Sequence, residues 1–220
     1  MTFRGVDIGD RSDLPTTDKP RSSLGAIVLC GGQSRRMGRP KAWLPFGPDE
    51  VLLQRVVRLV REVVGPVVVV AAPGQDLPAM PGDVLVTRDP ISDRGPLQGL
   101  AAGLSALPEG VEWAFATATD VPFLSPQWIM RLCERIGSKD LAIPFIDGFH
   151  HPLAALYRRD SVLPAIQNLL KDDRLRPVFL LEAVQTLVLS KDDFLDVDPQ
   201  LRTLRNLNTP EDYERALADR

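Results

Sequence analysis

The stretch Leu24-Gly-Ala-Ile-Val-Leu-Cys-Gly-Gly-Gln-Ser-Arg-Arg-Met-Gly-Arg-Pro-Lys41 carries two signals in direct succession. Leu24 to Cys30 is a short, unbroken apolar run, the pattern of a parallel strand covered on both faces. A glycine pair, Gly31-Gly32, follows at once, at the strand end where open α/β sheets bind ligands. Working outward, Val51 to Val64 sets Leu52, Val56, Leu59 and Val63 on one helical face. Pro66 to Ala71, with four successive valines, predicts a second buried strand, and Val84 to Thr87 a short third one. Leu97 to Leu107 predicts a helix introduced by Gly95-Pro96, and Val111 to Ala118 another strand ending just before Asp120. Ser125-Pro126 supplies an N-cap with a first-turn proline, and Gly137 a helix stop. Leu141 to Phe145, Pro152 to Tyr157 and Thr186 to Leu189 are further strands, and Thr209-Pro210 opens a last helix. Strand alternating with helix predicts an α/β fold with a mostly parallel sheet covered on both faces.

The chain has 220 residues, 44% hydrophobic and 25% charged, which suits one globular α/β unit over 24–220 and excludes bulk disorder. Residues 1–23 mix four acids with four bases, lack an apolar core segment, and read as a flexible N-terminal arm rather than a secretory signal. A net charge of -3 offers no global attraction to nucleic acid or anionic membrane, so neither is an expected partner. No apolar run reaches the roughly 18 residues of a membrane helix. The two cysteines, Cys30 and Cys133, are no disulfide framework and fit a reducing, cytoplasmic setting.

Between Leu24 and Pro48 stand four cations, Arg35, Arg36, Arg39 and Lys41, and no acid. Backbone N–H groups at Gly31 and Gly32 can approach an anion with no Cβ in the way, so the segment suits a polyphosphate. A solvated glycine loop with surface bases is the plain alternative. Neither standard phosphate motif fits: Gly38 is followed by Arg39-Pro40-Lys41 rather than Lys-Ser/Thr, and the glycines are adjacent rather than spaced Gly-x-Gly. Asp120, at a strand's carboxyl end, can hold Mg²⁺ together with substrate phosphates, or serve as a turn aspartate near Ser125. Asp89 occupies the same edge of another strand, where Asp89-Pro90 also reads as a turn. Gly95-Pro96-Leu97-Gln98-Gly99 would let a helix N-terminus approach a flat ligand. His150-His151 reads as structural, because sequence neighbours point to different sides. Asn206-Leu207-Asn208 is compatible with simple cap chemistry.

Together these segments resemble the MobA-like molybdenum cofactor guanylyltransferases of the nucleotidyltransferase superfamily, from about Gly25 to Ala216. The pattern Leu-x-Gly-Gly-x-Ser-x-Arg-Met-Gly-x-x-Lys is met in full at Leu29 to Lys41. Gly95-Pro-Leu-x-Gly99, Asp120-x-Pro122, His151-Pro152 and Asn206-Leu-Asn-Thr-Pro210 follow in the family's order. The resemblance implies a three-layer α/β/α Rossmann-like sandwich and transfer of GMP from GTP to the phosphate of molybdopterin, with pyrophosphate released. It implies nucleotide contacts at Leu29, Cys30, Gly31, Gly32, Asp89, Gly95, Pro96 and Leu97, and Lys41 and Arg36 on the phosphates. It implies Mg²⁺ and nucleotide at Asp120, and an active-site floor or pterin side at His151, Asn206 and Asn208. The implied partners are GTP and molybdopterin or Mo-molybdopterin, and beyond them molybdenum-insertion proteins and apo-molybdoenzymes.

One departure stands out: relatives often carry an asparagine just after the second strand, where this chain has Ala71-Ala72. The sister activity, cytidylyl transfer, is the nearest rival. Its enzymes typically show Ala-Gly in place of Gly31-Gly32 and Asp-Gln-Pro in place of Asp120-Val121-Pro122. A nucleotide-binding protein without turnover is the third reading, and it predicts damage to Arg36, Lys41 or Asp120, all of which are present.

Overall fold

The computed structural model describes residues 23–31, 40–91 and 94–220. The expected arm over 1–23, apart from Ser23, lies outside them, as do Gly32, Arg35, Arg36 and Arg39. Among the described residues eight strands form one sheet: β1 (Leu24–Leu29), β2 (Val67–Ala71), β3 (Leu85–Arg88), β4 (Trp113–Ala118), β5 (Leu141–Ile146), β6 (Phe149–His150), β7 (Ala155–Arg158) and β8 (Thr186–Leu189). The lateral order is β3-β2-β1-β4-β7-β5, with β8 on the far side of β5 and β6 extending β5 as a hairpin. β1 to β4 pair in parallel and β5 pairs in parallel with β8, while β7 runs against β4 and β5. The sheet is therefore mixed and mostly parallel.

Burial explains why these segments are strands. All five residues of β2, Val-Val-Val-Val-Ala, are buried, and β-branched side chains fit a sheet covered on both faces. One face carries Ala26, Val28, Val67, Val69 and Phe115 under α1 (Leu52–Arg61) and α3 (Pro126–Arg135). The opposite face carries Ile27, Val68, Val70, Ala114 and Ala116 under α2 (Pro96–Ala106) and α4 (Arg159–Lys171). Two short pieces complete the helices, α5 (Leu180–Ala183) and the terminal α6 (Pro210–Ala218). α6 closes a smaller apolar cluster in which Ala216 meets Leu44, Phe46, Leu52 and Leu207.

Two local expectations are corrected. The strand expected from Pro152 begins only at Ala155, because Pro152–Ala154 form a 3₁₀ turn. Proline's fixed φ and missing N–H suit a first helical turn better than a ladder. Ser125 precedes α3 but caps it with no side-chain bond. Its hydroxyl bonds Gln127 Oε1 at 2.9 Å, and its N–H donates to Thr203 Oγ1 at 3.0 Å.

α2 can lie close on β1 only because of its glycines. A Cβ at Gly103 would stand 2.5 Å from Ile27 Cγ2, a fully buried side chain. Helix propensity alone favours alanine over glycine by about 1 kcal/mol. We expect Gly103→Ala to lose about 1–2 kcal/mol nonetheless, since overpacking outweighs propensity. A urea unfolding midpoint lowered at constant m-value checks this.

Candidate active site

The parallel half of the sheet sends β1 to β2 and β3 in one direction and places β4 on the other side of β1. A crevice of this kind, at the carboxyl ends of neighbouring strands, is where such sheets bind ligands. β4 ends at Ala118, and Thr119 N–H donates to Leu29 C=O at 3.1 Å, so Asp120 emerges beside the end of β1. Three contacts fix the turn that follows. Leu207 N–H donates to the Asp120 carbonyl at 2.9 Å, and Arg55 Nε of α1 donates to the Pro122 carbonyl at 2.7 Å. Phe123 packs edge-on to Phe46 at 5.6 Å, with the Arg202 guanidinium 4.0 Å from its ring centre.

Lys41 reaches the same point from the other direction. Pro40 leads into a 3₁₀ turn, Lys41–Trp43, whose Ala42 is buried and anchors the turn. Lys41 Nζ donates to Asp120 Oδ2 at 2.7 Å across 79 residues of sequence, with the two side chains 21% and 19% exposed. The carboxylate therefore serves no cap at Ser125; it is held in a charge-assisted pair at the mouth of the crevice.

Around this pair the structure assembles most of the residues expected from sequence. Cys30 is buried, and burial pushes its thiol up, so it is a neutral side chain and no nucleophile. Gly31 is exposed at the crevice, and a Cβ there would meet nothing nearer than Ala72 N at 3.5 Å. Asp89 follows β3, where its N–H donates to Ala71 C=O at 2.8 Å. Its Oδ1 accepts Ile91 N–H at 3.0 Å, the turn role that Asp89-Pro90 suggested. Its Oδ2 stands 3.8 Å from where a Gly99 Cβ would be, which sets the carboxylate against α2. Gly95 precedes α2 at φ 80°, ψ 178°, a conformation open to glycine, and Pro96 takes the first helical position. Leu97 is fully buried in the core, so any ligand contact at that residue falls to its backbone.

Asn206 and Asn208 are exposed on either side of buried Leu207, the residue whose N–H binds Asp120. Asn208 N–H donates to Asp212 Oδ2 at 3.1 Å, the cap chemistry that its sequence context suggests. His151 is held by β5, which precedes it. Its ring nitrogen lies 3.3 Å from Ile146 C=O, and its N–H donates to Pro144 C=O at 2.9 Å, so it braces the β5–β6 hairpin. Desolvation lowers its pKa below the ordinary 6.5, so the unfolded chain binds its proton more readily. We expect stability contributed through His151 to be present above about pH 6.5 and to fall as pH drops below it, with a flatter profile in His151→Gln. Thermal melts of both proteins between pH 5 and 8 check the sign.

Sequence reasoning missed three contributors. Arg55 lies off the apolar face that marks α1 in the sequence, and it holds the Asp120 turn. Leu207 acts through its backbone. Gln75 lies in the connection between β2 and β3, to which no role was assigned, and its side chain bonds both Ala72 and Cys30.

An α/β sheet with a lysine–aspartate pair at its carboxyl edge, beside a glycine turn and a glycine-led helix, has the build of a nucleotide-handling transferase. The family model for the MobA-like NTP transferase domain matches residues 26–186, and the chain belongs to this family; it is a nucleotidyltransferase. It is 39% identical over 200 residues to a Mycobacterium avium protein named as a probable molybdenum cofactor guanylyltransferase, covering 89% of this chain and 95% of that one. A Mycobacterium tuberculosis protein of the same name is 44% identical over 141 residues, 62% of this chain and 69% of that one. In fold, the chain resembles the molybdopterin-guanine dinucleotide biosynthesis protein A of Archaeoglobus fulgidus, with TM-score 0.72, 20% identity, and coverage of 89% and 97%. It also resembles a Mycobacterium tuberculosis protein solved in complex with manganese, with TM-score 0.61, 15% identity, and coverage of 90% and 100%. Among the described residues no helix is long and apolar enough to cross a membrane.

Proposed function

We propose that the protein transfers GMP from GTP to the phosphate of molybdopterin, releasing pyrophosphate and forming the guanine dinucleotide form of the cofactor. The observation that carries this is the Lys41–Asp120 contact at 2.7 Å, a cation and a carboxylate set side by side at the sheet edge. The names of the relatives point the same way.

The acceptor phosphate oxygen forms a bond to the α-phosphorus of GTP as the bond to the bridging oxygen of the β-phosphate breaks. Pyrophosphate leaves with that electron pair. The attacking group is already an anion, so no side-chain base is required, and rate comes from positioning and charge neutralisation. In the structure Lys41 and Asp120 neutralise one another. With nucleotide present, the Lys41 ammonium turns to the phosphates and the Asp120 carboxylate becomes available to a divalent cation. Arg36, which lies outside the described residues, matches the arginine of the family's pattern and would add a second positive charge for the triphosphate, and the exposed Asn206 and Asn208 would offer carboxamides to a ligand.

The residues fit a hard divalent cation such as Mg²⁺ held partly by substrate. Among the described residues no three His, Cys, Asp or Glu groups converge to make a protein-only cage. A single carboxylate completed by phosphate oxygens and water is the usual arrangement for that ion. When bound, it supplies charge neutralisation on the phosphate oxygens.

Pyrophosphate release with molybdopterin, Mg²⁺ and each nucleoside triphosphate in turn tests the proposal. Release with GTP is expected. Release with CTP in its place would transfer the assignment to the cytidylyl reaction.

A further inference from the structure

We infer that Gln75 is a wedge in the sheet that keeps the nucleotide crevice open, and this rests on the reading of that crevice as the nucleotide site. β1 and β2 pair in parallel up to Leu29 and Val70, and the last regular rung is Cys30 N–H to Val70 C=O at 2.8 Å. In a parallel ladder the next rung would join Ala72 N–H to Cys30 C=O. It does not form. Instead the side-chain amide of Gln75 is spliced between the two groups. Ala72 N–H donates to Gln75 Oε1 at 2.9 Å, and Gln75 Nε2 donates to Cys30 C=O at 3.2 Å and lies 3.4 Å from Cys30 Sγ.

A carboxamide carries the same donor and acceptor as a peptide, so both strand ends remain satisfied while being held one amide apart. The gap opens beside Gly31, whose missing Cβ faces Ala72. The wedge is itself fixed. Gln75 N–H closes the turn on Ala72 C=O at 3.2 Å, with Gly74 at φ 68°. Arg88 of β3 donates to Ala72 C=O at 2.9 Å and Gln75 C=O at 3.1 Å. Trp43, two residues after Lys41, donates to the neighbouring Asp76 C=O at 3.1 Å, which ties the Lys41 turn to the same loop. Gln75 is thus a positioning residue for the strand-end backbone, at the place where the chain has Ala71-Ala72.

Without the carboxamide, Ala72 N–H and Cys30 C=O can close on each other, and a nucleotide must part them again. In Gln75→Ala we expect KM for GTP to rise about three- to tenfold, the range that the net worth of one hydrogen bond spans. We expect kcat within about twofold of wild type and a melting temperature no lower. Gln75→Glu keeps the acceptor for Ala72 N–H but loses the donor until it is protonated. Its KM ratio to wild type should therefore shrink as pH falls from 8 to 5. An unchanged KM, or a lowered melting temperature with a loss of kcat, would overturn the wedge. If wild type releases no pyrophosphate from GTP, the proposed reaction fails separately. The wedge is then decided by calorimetric affinities of GTP with Mg²⁺ for wild type and Gln75→Ala, where equal values overturn it.

Discussion

Replacing Asp120 by asparagine is expected to lower kcat/KM for GTP on the order of 10³-fold, about 4 kcal/mol of transition-state stabilisation. The substitution keeps the shape of the side chain and removes its charge. The turn is held through backbone and neighbouring groups, by Leu207 N–H, by Arg55 on Pro122 and by Phe123. None of these uses the carboxylate, so the fold should persist. The carboxylate's structural partner is Lys41, and asparagine still offers an oxygen to that ammonium, so the cost to stability should be about 1–2 kcal/mol, smaller than the kinetic loss. A large kinetic loss with a small shift in unfolding midpoint is therefore the signature. Chelation of divalent ions should reduce wild type to about the level of this variant and leave the variant itself nearly unaffected.

Lys41→Ala is expected to lose about 2–4 kcal/mol, roughly 30- to 1,000-fold in kcat/KM, because a cation aimed at the leaving pyrophosphate counts most in the transition state. The loss should fall on kcat more than on KM. Lys41→Arg should recover only part of it. A guanidinium is a wider, planar donor, and the ammonium's place in the 3₁₀ turn is set by buried Ala42. The two substitutions act on one contact, so Asp120→Asn combined with Lys41→Ala should cost less than the product of the single losses. Steady-state pyrophosphate assays on the four proteins measure that coupling. Full multiplicativity would show that the two residues work independently.

The fold was largely legible because its signals are local. Buried parallel strands announce themselves as runs such as Val67 to Val70, and the amphipathic pattern of α1 is plain in Leu52 and Val56. The start of β7 was misread because Pro152 lies in an apolar run, where the run's strand signal masked the proline's preference for a first helical turn. The candidate site was legible where a residue's type and its place in the chain agreed, as for Asp120 just after β4 and Lys41 at the close of the glycine-led segment. It was not legible where a residue acts through geometry set by distant segments. Arg55 is 67 residues from Pro122, and Gln75 is 45 from Cys30. Leu207 reads as a core leucine, and its contribution is a backbone N–H that no side-chain pattern reports. His151 lay inside a motif of the family, and nothing in that motif reports the contact of its ring with the Ile146 carbonyl.

Mass analysis of the product formed from GTP labelled at the α-phosphate follows the transferred group itself. With molybdopterin and Mg²⁺, the α-label should appear in a molybdopterin-guanine dinucleotide, with one pyrophosphate released per dinucleotide formed. Label recovered in free GMP, or in a dinucleotide made from CTP and not from GTP, would contradict that transfer.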